Sequence, residues 1–178
     1  MKTKEQIIDD ILRVEGGYVN APADSGGETN FGITEDVARA FGYTGDMRDM
    51  PRATAFDIYA ARYWDAVRGD ELAELSAAVA FEVVDTGVNM GPPRAVKFLQ
   101  RALNVLNLGG RLYSDLSVDS LSGPMTIAAL RQYLDARDEG ALLKALNCLQ
   151  GAAYIELAER REKDERFVYG WLRNRVEL

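Results

Sequence analysis

The chain has 178 residues and a formal net charge of -7, with 47% hydrophobic and 28% charged residues, a balance typical of a folded globular protein. It contains no histidine and one cysteine, which excludes Ser-His-Asp hydrolases, Cys-His peptidases and zinc enzymes with histidine ligands. The acidic charge also argues against nucleic acid as a partner, because such binding needs clustered lysines and arginines. Hydrolysis by this chain would therefore depend mainly on carboxylates, with no metal or organic cofactor implied.

A first helix is predicted near the N-terminus and ends at a carboxylate. Thr3 stands three residues before Gln6, the spacing of a capping box, and an apolar stripe of helical period follows. Glu15 continues that stripe, and the glycine pair Gly16 and Gly17 ends the helix. A carboxyl group at the end of an apolar helix face, beside a glycine turn, is a candidate general acid. The alternative is an ordinary glutamate of the last turn beside a glycine cap.

Residues 16–33 contain five glycines and one proline without a sustained period, which predicts an ordered loop or a short hairpin. Connections of this length inside a compact domain are often functional, and Asp24 and Thr29 are the members with useful chemistry. Thr34 has the character of a helix N-cap, followed by acidic residues in the first turn. A short helix is expected to start there.

Further helices are predicted over 51–67, 72–90, about 96–106, 124–135 and 140–164. The breaker sequence that starts at Gly91 is predicted to divide the chain into lobes 1–90 and 91–178. In the third helix, Asp85 and Asn89 lie four residues apart and either face a cleft as groups that bind substrate or form a local pair on a solvated face. Cys148 lies in an apolar helical pattern and is predicted to be a buried structural thiol.

The order of Glu15, Asp24 and Thr29, on a helix followed by a loop or hairpin, resembles the phage-type lysozymes. A glycosidase needs one carboxylic acid to protonate the leaving oxygen and a second group to hold water or attack the anomeric carbon. Glu15 fits the first role. Asp24 is the candidate for the second, with Glu28 as its nearest rival and a loop-capping turn as the structural alternative. Thr29 either positions water or stabilises a turn.

The chain also resembles glycoside hydrolase family 108, the N-acetylmuramidases of phage endolysins and related bacterial proteins. The motifs that carry this resemblance are Glu15-Gly16-Gly17-Tyr18, the segment 24–34, Tyr63-Trp64-Asp65 and Asp85-Thr86-Gly87-Val88-Asn89. The second half resembles the peptidoglycan-binding module that accompanies the family. Its matching positions are Asp119, Gly123, Pro124, Thr126, Gly170, Trp171 and Arg175, although Ser120 stands where glycine is expected.

The resemblance implies an all-α, lysozyme-like fold in two lobes, with a small hairpin after the first helix as an option. It implies Glu15 as the catalytic acid, and cleavage of the β-1,4 bond between N-acetylmuramic acid and N-acetylglucosamine. The expected site is completed by Asp24 and Thr29 as further catalytic groups, and by Tyr18, Asn30, Asp85 and Asn89 as substrate contacts. Two alternatives stay open: a lytic transglycosylase, and a protein that binds peptidoglycan without cleaving it.

The expected partner is the glycan strand of peptidoglycan, and the protein is expected to act as a monomer. No apolar run approaches the roughly 20 residues that span a bilayer, so neither membrane insertion nor a signal peptide is predicted. The resemblance to endolysins leads us to expect synthesis in the bacterial cytoplasm and action on the cell wall in the periplasm. Release would then depend on a holin or another route.

Overall fold

The computed structural model describes residues 3–20 and 27–176, and the fold in these ranges is mainly helical, as the sequence predicts. The α-helices are α1 (Lys4–Val14), α2 (Glu35–Phe41), α3 (Arg52–Tyr59), α4 (Gly69–Leu75), α5 (Ala77–Met90), α6 (Pro92–Leu106), α7 (Pro124–Ala136), α8 (Glu139–Arg160) and α9 (Glu165–Arg175). Three short strands, β1 (Val19–Asn20), β2 (Glu28–Asn30) and β3 (Ile33–Thr34), form an antiparallel sheet in the order β1-β2-β3. The chain divides into two compact units, Met1–Ala66 and Val67–Leu178.

In the first unit, α1 packs against α3. The predicted capping box is confirmed, since the Thr3 side chain accepts from Gln6 N and the Gln6 side chain accepts from Thr3 N. An exposed ion pair between Asp9 and Arg52, 2.7 Å long, links the two helices. The core side chains that α1 and α3 bury are Ile7, Ile8, Ile11, Leu12, Ala55, Ile58 and Tyr59.

In the second unit, α5 packs against α4, α6 and α8. The side chains of its packed faces are mostly apolar, but a series of buried hydrogen bonds between side chains also connects α8 to α5. Gln150 Nε2 donates to Thr86 Oγ1 at 3.0 Å, and Thr86 Oγ1 donates to Glu82 Oε1 at 3.5 Å. These hydrogen bonds fix the register of α5 against α8, because a shift of either helix would leave buried polar atoms without partners.

Three predicted helices are wrong in their extent. The helix predicted over 51–67 is α-helical only to Tyr59 and continues as a π-helical turn, Ala60–Trp64, and a 3-10 turn, Asp65–Val67. The helix predicted over 72–90 is broken at Ser76, whose backbone is extended and whose hydroxyl caps α5 by accepting from Val79 N at 2.9 Å. The last predicted helix, 140–164, ends at Arg160, and α9 follows as a separate helix.

The prediction that Cys148 is buried is also wrong, because its side chain is exposed. It lies on the same face of α8 as Lys144, Ala152 and Ile155, and all three are exposed. The buried positions of this part of α8 lie on the other side. The apolar appearance of the exposed face misled the prediction, because small and aliphatic side chains also occur on solvated helix faces.

Within the described ranges, no helix combines the length and the apolar character needed to cross a membrane. The same part of the chain has no cluster of three or more histidine, cysteine, aspartate or glutamate side chains arranged to hold a metal ion.

Candidate active site

Glu15 is the C-cap residue of α1, as the sequence predicts for the end of the first helix. Its backbone is still helical, with φ -70° and ψ -13°, and its N–H donates to Ile11 O at 3.1 Å. Gly16 then adopts a left-handed conformation, with φ 82°, which turns the chain away from the helix axis. The glycine pair therefore leaves the half-buried Glu15 carboxyl at the helix end, where the following hairpin begins.

The turn between β2 and β3 lies directly against Glu15. Gly32 has φ 69°, and a Cβ atom built on it would lie 2.9 Å from Glu15 Oε2 and 3.4 Å from Glu15 Cβ. The same point lies 3.1 Å from the hydroxyl oxygen of Tyr59. Tyr59 is 2% exposed and donates from this hydroxyl to Phe31 O at 2.9 Å. The Glu15 carboxyl and the Tyr59 hydroxyl therefore both lie close to the backbone of Gly32.

A second group of side chains ties β1 to β2. Tyr18 donates from its hydroxyl to Glu28 Oε1 at 2.9 Å, and Asn20 Nδ2 donates to the same oxygen at 3.1 Å. The guanidinium of Arg48 lies over the Tyr18 ring, 4.9 Å from its centroid. A hydrogen bond with Tyr18, supported by the nearby Asp46 and Glu28 charges, raises the pKa of Arg48 above its ordinary value. The hairpin is therefore held by a carboxylate, a phenol and a cation.

Asn30 and Thr29 occupy opposite faces of β2. Asn30 is 4% exposed, and its amide nitrogen donates to Met47 O at 2.7 Å and to Arg48 O at 3.3 Å. Thr29 is half-buried and donates to Val19 O at 3.4 Å, a long hydrogen bond across the β1–β2 pair. Both side chains therefore have a structural contact in the first unit, and their proposed roles toward substrate stay predictions. Asp24 lies outside the described residues.

Asp85 and Asn89 lie in the second unit. Arg175 Nη1 of α9 contacts Asp85 Oδ1 at 2.9 Å, and the two side chains are only 14% and 13% exposed. Asn89 donates from Nδ2 to Asp85 O, one turn earlier in α5, at 2.8 Å. The structure thus shows an ion pair between α5 and α9 at the position where the sequence suggested either a substrate contact or a local pair. The role of both residues as sugar contacts stays a prediction.

Sequence reasoning missed the part that Tyr59 and Gly32 play at this site. Tyr59 falls on the apolar face of its helix by spacing, and its position therefore indicated core packing. Nothing in the helical pattern shows that its hydroxyl reaches Phe31, 28 residues earlier in the chain. The signal that could have found the turn is the sequence Asn30-Phe31-Gly32-Ile33, because a glycine between two short strands is typical of a tight hairpin.

In the second half, the residues that resemble the peptidoglycan-binding module form hydrogen bonds to one buried side chain. Gln100, 2% exposed, donates to Asp119 Oδ1 at 2.8 Å and to Thr126 Oγ1 at 3.3 Å, and accepts from Ser120 N at 3.0 Å. The Gln100 amide, with the N–H of Leu121, lowers the pKa of the Asp119 carboxyl. Ser120 has φ 67°, a conformation that glycine adopts more readily. The glycine expected at this position therefore has a conformational reason.

The aromatic residues of α9 form a short stack. Trp171 lies between Tyr154 of α8, with ring centroids 5.2 Å apart, and Phe167, at 5.9 Å. Tyr154 is buried and Phe167 is 44% exposed, so the stack runs from the core of the second unit to its surface. Together with the ion pair of Arg175, it fixes α9 on α8 and α5.

Comparisons with known proteins identify what each half of the chain is similar to. Residues 8–91 match the family model described as glycosyl hydrolase 108, and residues 94–176 match the model described as a predicted peptidoglycan domain. The solved structure of Brucella abortus SagA is similar, with 25% sequence identity, a TM-score of 0.64 and coverage of 96% of each chain. No curated protein matches in a sequence comparison. The resemblance predicted from the motifs is confirmed: the first half of the chain matches glycosyl hydrolase 108 and the second half matches a predicted peptidoglycan domain, and together these matches support a hydrolase that acts on peptidoglycan.

Proposed function

We propose that this protein is an N-acetylmuramidase that hydrolyses the β-1,4 bond between N-acetylmuramic acid and N-acetylglucosamine. The observation that carries the proposal is the position of Glu15, at the end of α1 and against the turn at Gly32, within the part of the chain that matches glycosyl hydrolase 108. A glutamic acid at the edge of a hairpin has the chemistry to protonate a glycosidic oxygen.

In the proposed reaction, protonated Glu15 gives its proton to the glycosidic oxygen as the bond to the anomeric carbon breaks. Asp24, with Thr29, orients the water that supplies the new hydroxyl group, or stabilises the positive charge that develops on the sugar ring. The proposed sugar contacts are Tyr18, Asn30, Asp85 and Asn89. No step in this reaction needs a metal or an organic cofactor.

The second half of the chain is proposed to hold the glycan strand or its stem peptide, in agreement with its match to a predicted peptidoglycan domain. We further propose that the protein is a monomeric endolysin of a phage or prophage, made in the bacterial cytoplasm. It would lyse the host after a holin or another route gives it access to the wall. The net charge of -7 gives no long-range attraction toward anionic wall polymers, so binding would depend on local contacts.

Replacement of the proposed acid tests the mechanism. Glu15→Gln keeps the size and the hydrogen-bonding capacity of the side chain but cannot donate a carboxyl proton. We expect it to fold with an unchanged thermal midpoint and to release reducing ends from purified peptidoglycan at least 100-fold more slowly, the lower end of the usual effect of a general acid. Glu74→Gln on the exposed part of α4 is the matched control and should retain full activity.

Wild-type activity in Glu15→Gln would refute the assignment of the catalytic acid. Mass spectrometry of the products separates the alternatives in the same experiment. Muropeptides with a free reducing N-acetylmuramic acid support hydrolysis, whereas 1,6-anhydro products would identify a lytic transglycosylase. Wild-type protein that binds sacculi and releases no fragments would identify a protein that binds peptidoglycan without cleaving it.

A further inference from the structure

The turn that contacts Glu15 has an unusual backbone. Phe31 and Gly32 both have positive φ, 52° and 69°, and they connect β2 to β3 through the pair Asn30 and Ile33. Two successive left-handed residues match the twist of a hairpin, but a residue with a bulky side chain such as phenylalanine rarely adopts this conformation. An additional contact is therefore needed to hold Phe31 there.

Tyr59 supplies that contact. Its hydroxyl donates to Phe31 O at 2.9 Å, and its ring is 2% exposed and packs against the ring of Tyr63, with centroids 5.1 Å apart. Tyr59 is also the last residue of α3, directly before the π-helical turn Ala60–Trp64. Such turns contain an extra residue, change the direction of neighbouring side chains and are frequent at functional sites.

The same turn lies close to the proposed acid on one side. The point where a Cβ of residue 32 would stand lies 2.9 Å from Glu15 Oε2 and 3.1 Å from the Tyr59 hydroxyl oxygen. A side chain at position 32 would therefore displace the carboxyl group, the Tyr59 hydroxyl or the turn itself. The position of the Glu15 side chain depends on the position of this turn.

We infer that Tyr59 is a positioning residue for Glu15, which it orients through the Phe31–Gly32 turn by holding the carbonyl group of Phe31. This inference rests on the proposed function of Glu15. Tyr59 is not assigned a contact with sugar, because its ring is buried and its single hydroxyl proton is used by Phe31 O. Loss of the hydroxyl should therefore slow the chemical step and leave substrate binding unchanged.

The test compares Tyr59→Phe with Tyr43→Phe. Tyr43 also lies in the first unit and donates from its hydroxyl to a turn carbonyl, Asp46 O, at 2.8 Å. Both variants therefore lose one hydrogen bond from a tyrosine to the backbone, and only Tyr59 holds the turn beside Glu15. Reducing-end release is measured over a range of concentrations of soluble, uncrosslinked glycan strands, together with thermal unfolding of each variant.

We expect kcat to fall about 10-fold or more in Tyr59→Phe, because small displacements of a catalytic group reduce rate steeply, with KM within a factor of two of the wild-type value. Tyr43→Phe should keep the wild-type kcat, and thermal unfolding should show both variants fully folded at the assay temperature. The inference is wrong if the two folded variants have the same kcat, or if KM rather than kcat changes in Tyr59→Phe.

A second pair of variants tests the contact between the turn and the acid. Gly32→Ala and Gly109→Ala place a side chain at nearly equal φ, 69° and 66°, but a Cβ at Gly109 meets no atom within 4 Å. A larger fall in kcat for Gly32→Ala supports the inference, and equal kcat values overturn it. Glu15→Gln is assayed beside them, so that an active Glu15→Gln variant reports failure of the proposed function itself.

Discussion

Glu28, the rival of Asp24 for the second catalytic role, has a structural task in the hairpin. Glu28 already accepts two hydrogen bonds, from Tyr18 and Asn20, and both join β1 to β2. The Glu28 carboxylate therefore stabilises the hairpin, and one of its oxygens already accepts two hydrogen bonds. Asp24 lies between the two strands in sequence and outside the described residues, so its role rests on the sequence alone.

The residue-level prediction is that the second catalytic group is Asp24. Asp24→Asn should reduce the rate of reducing-end release by about 100-fold or more, because a neutral amide neither activates water nor stabilises a developing cation as well. Glu28→Gln should lose less than about 10-fold, because an amide oxygen still accepts from Tyr18 and Asn20. The measurement is kcat on soluble glycan strands.

The thermal midpoints of both variants complete this comparison. Glu28→Gln should show the larger loss of stability, since charge-assisted hydrogen bonds become neutral ones. The reverse pattern, with Glu28→Gln inactive and Asp24→Asn active, would assign the catalytic role to Glu28.

Residue-level features could be predicted where they depend on neighbours in sequence. The capping box of Thr3 and Gln6 and the helix end at Glu15 follow from local spacing, and the structure confirms both. The hydrogen bond from Tyr59 to Phe31 could not be predicted, because it joins residues that only the fold brings together. The prediction that Cys148 is buried failed for a related reason. The sequence shows which residues share a helix face, but it does not show which face packs against another helix.

At the level of elements, α9 is fixed to α5 by the ion pair of Arg175 and Asp85. The two side chains are 14% and 13% exposed, so this pair is largely removed from water. Removal of one partner of such a pair is costly, because the remaining charge stays buried without compensation. The pair therefore holds the end of α5, where the proposed sugar contacts Asp85 and Asn89 lie.

A double-mutant cycle tests this coupling. Arg175→Gln and Asp85→Asn should each lower the free energy of unfolding by about 2–3 kcal/mol, somewhat less than removal of one partner from a fully buried pair. The double variant should lose no more than the worse single variant, because each change removes the same interaction. Denaturant unfolding provides the three values.

Additive losses in the cycle would show that the two residues do not stabilise each other. The kinetics of the same variants address the proposed sugar contact. Asp85 pairs with Arg175, and it is also proposed to bind the glycan. If it does, KM should rise in Asp85→Asn and stay near the wild-type value in Arg175→Gln, because both variants lose the ion pair but only the first loses the sugar contact.

The extents of helices were harder to predict than their existence. The break at Ser76 divides two segments that both have helical spacing, and only the capping hydrogen bond to Val79 reveals where the second begins. Serine favours N-cap positions, but it also occurs inside helices, so its presence alone did not mark a boundary. The π-helical turn after Tyr59 has no known sequence signal in this chain, since the apolar spacing continues through it.

At the level of the whole molecule, the boundary between the two family matches differs from the boundary between the two compact units. The family matches meet between residues 91 and 94, near the predicted lobe boundary at 90, whereas the compact units meet at Ala66 and Val67. The difference concerns α4 and α5, which belong to the glycosyl hydrolase match but pack within the second unit. There α5 packs against α4, α6 and α8.

The last prediction is that residues 1–91 do not fold alone, although they span the whole glycosyl hydrolase match. In this fragment α5 would keep α4 but lose α6 and α8, so the packing around its buried valines, Val79, Val83 and Val84, would be incomplete. Each valine contributes roughly 1.5–3 kcal/mol when fully buried, so partial loss of this burial is large compared with the stability of a small domain. Circular dichroism during heating should show a broad, non-cooperative change for 1–91 and a cooperative transition for 67–178. A sharp transition of 1–91 at the midpoint of the full chain would contradict this prediction and place the folding boundary at residue 91. The ion pair and the buried hydrogen bonds between α5 and the later helices would then be dispensable for the fold of residues 1–91.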